Sequence, residues 1–226
     1  SNGALIAELT DEISLAYLKK INGRGFLKFT LHGEHRALAE LDATPHIEVW
    51  RRVPEYGLRW YKDFVGILNI QEFQHTKNGE LFTGTCSDGF WLLDWRISAY
   101  HTEHEKAKFE EALPGEVIDA LFKNNTSNPG ERVKAQDTEY SEIQLLLNVS
   151  ETGANNIDYD SSWSYLSDAI LEVASIGSLD IRAEHLGMNA WEIQVGKLGN
   201  DIRHQMLFAL EYGNMANPRL IIDRSR

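Results

Sequence analysis

The chain has 226 residues, of which 42% are apolar and 25% charged, and this composition is typical of a globular protein that holds a core without disulfides or metal. Asp and Glu outnumber Lys and Arg by 34 to 22, and the net charge of −12 argues against binding to nucleic acid or to an anionic membrane surface. No apolar run is long enough to span a bilayer, so we expect no membrane insertion.

Cys86 is the single cysteine, which excludes an internal disulfide and a zinc site made of several thiolates. The N-terminus has no basic segment followed by an apolar core, so we expect no signal peptide and synthesis in the bacterial cytoplasm. The residues at both ends indicate a piece of a longer chain. The N-x-[ST] patterns at Asn124, Asn125 and Asn148 are interpreted as chance.

The first hundred residues are predicted to form strands and tight turns. Asn22-Gly23 separates two extended stretches and predicts a hairpin, because both residue types tolerate a positive φ. The second stretch places its apolar residues on one face at Leu27, Phe29 and Leu31.

Two further extended segments follow in this first part of the chain. Residues 46–53 place Ile47, Val49 and Val53 on one side of a strand. Residues 57–74 form a long extended run with an expected bend at Gly66, and residues 77–79 then turn the chain into a second hairpin. Short strands at this spacing indicate a barrel or a sandwich.

The middle of the chain changes to a helical period. Pro114-Gly115 begins a predicted helix with one apolar face, formed by Val117, Ile118, Leu121 and Phe122. Residues 124–141 are polar and rich in turn formers, which predicts a long exposed loop. Residues 141–150 fit either a strand or the end of a helix.

A second helix is predicted from a cap at Asp160, Ser161 or Ser162 to Gly177, and its apolar positions are Trp163, Leu166, Ile170, Val173 and Ala174. Beyond it the period returns to two, at Leu179, Ile181 and Ala183 and, after a turn over 185–190, at Trp191, Ile193 and Val195. Residues 205–214 and 218–223 are predicted to be two more strands.

The predicted fold class is therefore α+β and predominantly β: a β-barrel-like domain with an embedded helical α/β segment. The expected division is a barrel over residues 1–100, a helix-containing insert over 101–177 and returning strands over 178–226.

Two histidine pairs are candidates for a metal site. His32 and His35 flank Glu34, and His101 and His104 flank Glu103. A zincin motif needs histidines four residues apart on a helix, whereas these are three apart, so surface histidines are the favoured interpretation.

The sequence evidence for a catalytic nucleophile or an acid–base pair is no stronger than that for a metal site. Cys86 lies in an alternating strand with Phe82 and Gly84, which favours a small buried residue. The acidic residues form no local glycosidase motif, Gly23-x-Gly25 lacks a third glycine, and neither G-x-S-x-G nor a P-loop occurs. We therefore predict no catalytic, cofactor or metal residues.

Aromatic residues are concentrated in the first half of the chain at Trp50, Trp60, Tyr61, Trp91 and Trp95. Such residues form a sugar-binding platform in some proteins, and in others a barrel core and a subunit interface. The second interpretation is favoured, and the first stays open.

The order of these segments, from about residue 4 to residue 223, resembles that of hub and tail-tip proteins of tailed bacteriophages, in particular a siphovirus tail-protein family. The segments that carry the resemblance are Phe64-Val65-Gly66, Thr83-Gly84-Thr85-Cys86, the helix before Gly177 and Tyr212-Gly213-Asn214.

The resemblance implies a non-enzymatic virion protein that forms an oligomeric ring, often a trimer, at the end of the tail tube. It implies self-association and contacts with other tail proteins, such as distal tail or tube proteins. The alternatives are a carbohydrate-binding β-domain that attaches to the host surface and a cell-wall hydrolase.

Overall fold

Strands dominate the chain, as expected, and the fold class is α+β and predominantly β. The computed structural model describes residues 8–9, 11–41, 46–52, 60–77, 79–98, 106–126, 143–187 and 189–198. The strands are β1 (Ser14–Leu18), β2 (Phe26–His32), β3 (His46–Arg52), β4 (Trp60–Thr76), β5 (Gly79–Ser87), β6 (Ala107–Ala112), β7 (Gln144–Val149), β8 (Ile157–Ser161), β9 (Asp180–Gly187) and β10 (Ala190–Gly196). The α-helices are α1 (Pro114–Asn125) and α2 (Leu166–Gly177), and 3₁₀ helices span Arg36–Glu40 and Gly89–Trp95.

The first five strands form one curled antiparallel sheet in the order β1-β2-β5-β4-β3. Leu27, Phe29 and Leu31 are fully buried in its core, together with Phe82 and Cys86, so the predicted alternation in β2 is confirmed. Both predicted hairpins are also confirmed, since β1 pairs with β2 and β4 with β5. Val53 lies outside the described residues.

β4 has two irregularities of register, and neither is at Gly66, where the sequence predicted a bend. They fall at Asp63, where the pairing with β3 shifts, and at Asn69, where the pairing with β5 shifts. The bend at Gly66 stays a prediction, and a Cβ at this position would lie 2.7 Å from the Cβ of Cys86. The glycine therefore allows close packing inside the curled sheet.

The two helices pack with a second sheet, in the order β7-β10-β9, in which β10 runs parallel to β7 and antiparallel to β9. The open alternative over residues 141–150 is resolved as strand β7. Helix α1 begins at Pro114 as predicted and buries its apolar face. The predicted alternation in β10 is likewise confirmed, since its apolar side chains are buried: Trp191, Ile193 and Val195.

The predicted start of the second helix is wrong. Ser161 belongs to β8, which pairs with β6, and Trp163 has a φ of 58° and lies before the first helical residue, Leu166. Strand pairing engages the backbone of two of the three proposed caps, Asp160 and Ser161. The helix ends at Gly177 as predicted, but Ser178 adopts the left-handed conformation, with φ 52°.

The loop between β1 and β2 attaches the curled sheet to the second sheet. The Asn22 N–H donates to the Ile181 carbonyl (2.8 Å), and the Ile181 N–H donates to Asn22 Oδ1 (2.7 Å). Asn22 has a φ of 57°, a region that asparagine enters more easily than most residues. The Gly25 N–H donates to Asp88 Oδ2 (2.7 Å), so the same loop also holds the start of the 3₁₀ helix Gly89–Trp95.

Several predictions lie outside the described residues. These are the two C-terminal strands, nearly all of the polar loop over 124–141 and the final residues of the expected barrel segment. The division into segments 1–100, 101–177 and 178–226 stays a prediction.

Candidate interaction surfaces

Of the histidine pair in the described part of the chain, His35 has a structural role. His35 Nδ1 accepts a hydrogen bond from the Ala37 N–H (3.1 Å) and caps the 3₁₀ helix Arg36–Glu40, and its Nε2 lies 2.7 Å from Asp11 Oδ1. Within the described ranges, no group of three His, Cys, Asp or Glu side chains is arranged to hold a metal ion. His101, Glu103 and His104 lie outside those ranges.

Cys86 is fully buried in the core of the curled sheet, as its strand position predicted. Burial raises the pKa of its thiol to about 12. Because the thiolate is the nucleophilic form of cysteine, Cys86 is unreactive at neutral pH.

The tryptophans of β3 and β4 are not part of the barrel core. The sequence favoured a core position for them, and that prediction is wrong. Trp50 is 50% exposed and Trp60 is 64% exposed. Trp91 and Trp95 lie on the 3₁₀ helix and pack edge to face, with ring centroids 4.7 Å apart. The aromatic residues of the first half are thus divided between two places.

Trp50 and Trp60 share one outer face with three charged residues. Val49 points into the core, so its neighbours Glu48 and Trp50 point outward. Arg52 lies on the same side of β3 as Trp50, and the residues of β4 that pair with Trp50 and Arg52, which are Lys62 and Trp60, share this outer face. We call these five residues the β3–β4 aromatic face: Glu48, Trp50, Arg52, Trp60 and Lys62.

Hydrogen bonds fix the orientation of the Trp50 ring on this face. The indole N–H of Trp50 donates to Glu48 Oε2 (2.8 Å), and Lys62 Nζ donates to Glu48 Oε1 (3.3 Å). Lys62 Nζ also lies 3.2 Å from His185 Nδ1 on β9. The face is therefore connected to the second sheet.

Beside this face, aromatic rings from the two sheets meet. The indole N–H of Trp191 donates to His46 Nε2 (3.3 Å), and the His46 and His185 ring centroids are 5.3 Å apart. Burial and the charge of His185 lower the pKa of His46 to about 4. His46 is therefore neutral at pH 7 and accepts the indole hydrogen bond.

A cluster around Asp63 joins the two edge strands of the curled sheet. The Tyr17 hydroxyl and Lys19 Nζ each donate to the Asp63 carboxylate at 2.5 Å, and Arg51 donates at 3.2 Å. Burial raises the pKa of Asp63, but these hydrogen bonds outweigh it and leave the pKa below 3.8. Since β1 and β3 lie at opposite edges of the sheet, this cluster draws the sheet into its curled form.

The β1–β2 hairpin carries the second exposed surface. Five large apolar side chains of the stretch 13–26 are each between 43% and 49% exposed, and we call this set the β1 apolar surface: Ile13, Leu15, Leu18, Ile21 and Phe26. Leu18 and Phe26 pair with each other on the outer face of the sheet, whereas Leu15 pairs with the buried Phe29 and lies on the opposite face of the strand. Strand β1 is an edge strand of the sheet as described.

Sequence reasoning missed the Asp63 cluster and the contacts of His46, His185 and Trp191. Each group joins segments that are far apart in sequence, for example 145 residues between His46 and Trp191. The register shift that turns Asp63 inward has no local sequence signal. In the described part of the chain, no helix has the length and apolar character needed to cross a membrane.

Comparisons with known proteins give structural likenesses only. No protein-family model matches the chain, and no curated protein sequence is significantly similar to it. A component of the E. coli type VI secretion system, described as structurally similar to bacteriophage T4 tail proteins, matches 80% of this chain with 10% identity and a TM-score of 0.41. A tail protein from Neisseria meningitidis matches 75% with 11% identity and a TM-score of 0.41, and a prophage tail protein from Shewanella oneidensis matches 80% with 9% identity and a TM-score of 0.39.

The chain spans less than half the length of these proteins: 46%, 41% and 48%, respectively. The resemblance to phage tail proteins that the sequence indicated is thus found again among solved structures. Because the TM-scores lie below 0.5, we base no functional argument on them.

Proposed function

We propose that this chain is a structural, non-enzymatic subunit of a phage or prophage tail tip or baseplate hub, and that its copies form an oligomeric ring at the end of the tail tube. The observation that carries the proposal is the β1 apolar surface. The class of assembly comes from the sequence resemblance.

An apolar edge strand suits a subunit that assembles. A monomeric protein protects its edge strands with charges, prolines or covering segments, since an uncovered edge pairs with other chains. Here an edge strand and its hairpin expose five large apolar side chains, on a chain whose net charge is −12. A ring needs such a contact on each copy, repeated by a rotation that closes.

The remaining parts of the proposal follow from this role. The chain belongs in the virion, and its further partners are distal tail or tube proteins. The barrel, insert and returning-strand segments form the hub unit. No observation within the described residues favours the hydrolase alternative.

Sedimentation velocity tests the assembly. We expect wild-type protein to form a discrete oligomer as its concentration rises to about 100 μM, and negative-stain electron microscopy to show closed rings. Leu18→Asp should shift the equilibrium to monomer, because a desolvated carboxylate at a subunit contact is costly. Ile176→Asp is the matched control, since Ile176 is similarly exposed (52%) but lies on α2.

A wild-type protein that remains monomeric at every concentration would contradict the proposal. So would an oligomer that Leu18→Asp leaves intact, because assembly would then use another surface.

A further inference from the structure

We propose that the β3–β4 aromatic face is a binding site for a neutral oligosaccharide, whose pyranose rings stack on Trp50 and Trp60. This inference is independent of ring formation, because it uses a different surface from the β1 apolar surface. It extends the role of the chain from assembly to recognition of a glycan.

The first argument is the geometry of the two indoles. Trp50 pairs with Lys62, so Trp60 is its diagonal neighbour across the two strands. Diagonal neighbours on one face lie about 7–8 Å apart, which suits aromatic rings that contact successive parts of one extended ligand. Both side chains are at least half exposed, so their ring faces are accessible to a sugar.

The second argument is preorganisation. The Trp50 N–H is bonded to Glu48, and Glu48 is held by Lys62, so the ring is fixed before any ligand arrives. A ring fixed in this way loses little conformational entropy on binding. Because its edge N–H is already engaged, Trp50 offers its apolar face, which is the part that stacks on the C–H face of a sugar.

The third argument is the mixture of polar groups between and beside the rings. Glu48 supplies acceptors, and Lys62 and Arg52 supply donors, all on the same face as the two indoles. Sugar hydroxyls both donate and accept, so they match a face with groups of both kinds. The ion pair of Glu48 with Lys62 leaves no net charge directly beside Trp50, and Arg52 is the one remaining charge among the five residues.

The charged residues beside Trp50 favour a glycan over a protein partner on this face. Trp and Arg are common at the centres of protein interfaces, but Lys and Glu are depleted there. On this face Glu48 and Lys62 are the immediate neighbours of Trp50, whereas the β1 apolar surface consists of five apolar side chains. The two surfaces therefore differ in composition: charged side chains flank Trp50 on the β3–β4 aromatic face, whereas the β1 apolar surface contains none.

Titrating the protein with neutral hexasaccharides, while tryptophan fluorescence is measured, tests the proposal. The panel contains hexasaccharides of glucose, mannose, galactose and N-acetylglucosamine. We expect at least one of them to bind and to change the emission. Trp50→Ala and Trp60→Ala should each weaken that binding about tenfold or more, as the loss of a stacked ring does. Trp163→Ala is the matched control, because Trp163 is 67% exposed but lies before α2.

Three results would overturn the proposal. The first is that no hexasaccharide binds at millimolar concentration, and the second is that both tryptophan variants bind as wild type does. The third is that the tryptophan variants dissociate the oligomer while no sugar binds, which would make the face a protein contact. A monomeric wild type that binds sugar would contradict the ring and support the glycan site.

Discussion

Replacing Asp63 with asparagine removes one charge from the cluster that joins β1 to β3 and β4. The Asp63 side chain is only 12% exposed, and the Tyr17 hydroxyl donates to it from the opposite edge of the sheet. A hydrogen bond to a charged group contributes about 1.5–3 kcal/mol. Lys19 and Arg51 are more than half exposed, so solvent screens their ion pairs and they add little. We expect Asp63→Asn to lower the free energy of unfolding by about 2 kcal/mol at pH 7.

Urea unfolding followed by circular dichroism measures this difference. The control is Asp119→Asn on α1, which removes an exposed i,i+4 ion pair with Lys123 and should cost less than about 0.5 kcal/mol. Because the folded pKa of Asp63 is lowered, its contribution is present above the unfolded pKa of about 3.9 and is lost as the pH falls through the folded value. A variant as stable as wild type at pH 7, or a difference that does not shrink as the pH falls below the unfolded pKa, would refute the reasoning.

Three further outcomes follow from local geometry. Asn22→Ala should destabilise the protein by about 1 kcal/mol more than Asn22→Gly in thermal unfolding. Both variants lose the hydrogen bond from the Ile181 N–H, but only alanine resists the positive φ of residue 22, and equal losses of stability would contradict this. Ser178→Gly should raise the unfolding free energy by up to about 1 kcal/mol, since Ser178 is left-handed at the end of α2, and a lower melting temperature would count against it. Wild type should lose stability as the pH falls from about 6.5 through 4, because His46, which faces Glu48, Lys62, His185 and Trp191, binds a proton more readily when unfolded. His46→Phe should flatten that loss, and an unchanged pH profile would show that His46 is not its source.

The sequence predicted the regular elements well where a periodic pattern controls the structure. Helix α1 and the buried residues of β2 and β10 follow from apolar spacing alone. The start of α2 did not follow, because Ser161 and its neighbours are good caps locally but are held by strand pairing between β6 and β8. Tertiary pairing decided between two local options.

The candidate surfaces were only partly predictable. The concentration of tryptophan in the first half identified Trp50 and Trp60 as candidates, but it did not predict the side of the sheet on which each lies. The register shift at Asp63 changes the face of every residue before it in β4 relative to a regular strand. The regular alternation of β4 would place Trp60 on the inner face, and the register shift places it on the outer face instead.

The reactivity of the Cys86 thiol reports how often the curled sheet opens. It is the only cysteine in the sequence, it is fully buried, and Gly66 packs so closely against it that a Cβ added there would lie 2.7 Å from the Cys86 Cβ. A thiol reagent added to the native protein thus reacts only with molecules in which this sheet has opened. When the reagent reacts faster than the sheet recloses, the labelling rate gives the frequency of that opening, with no residue changed.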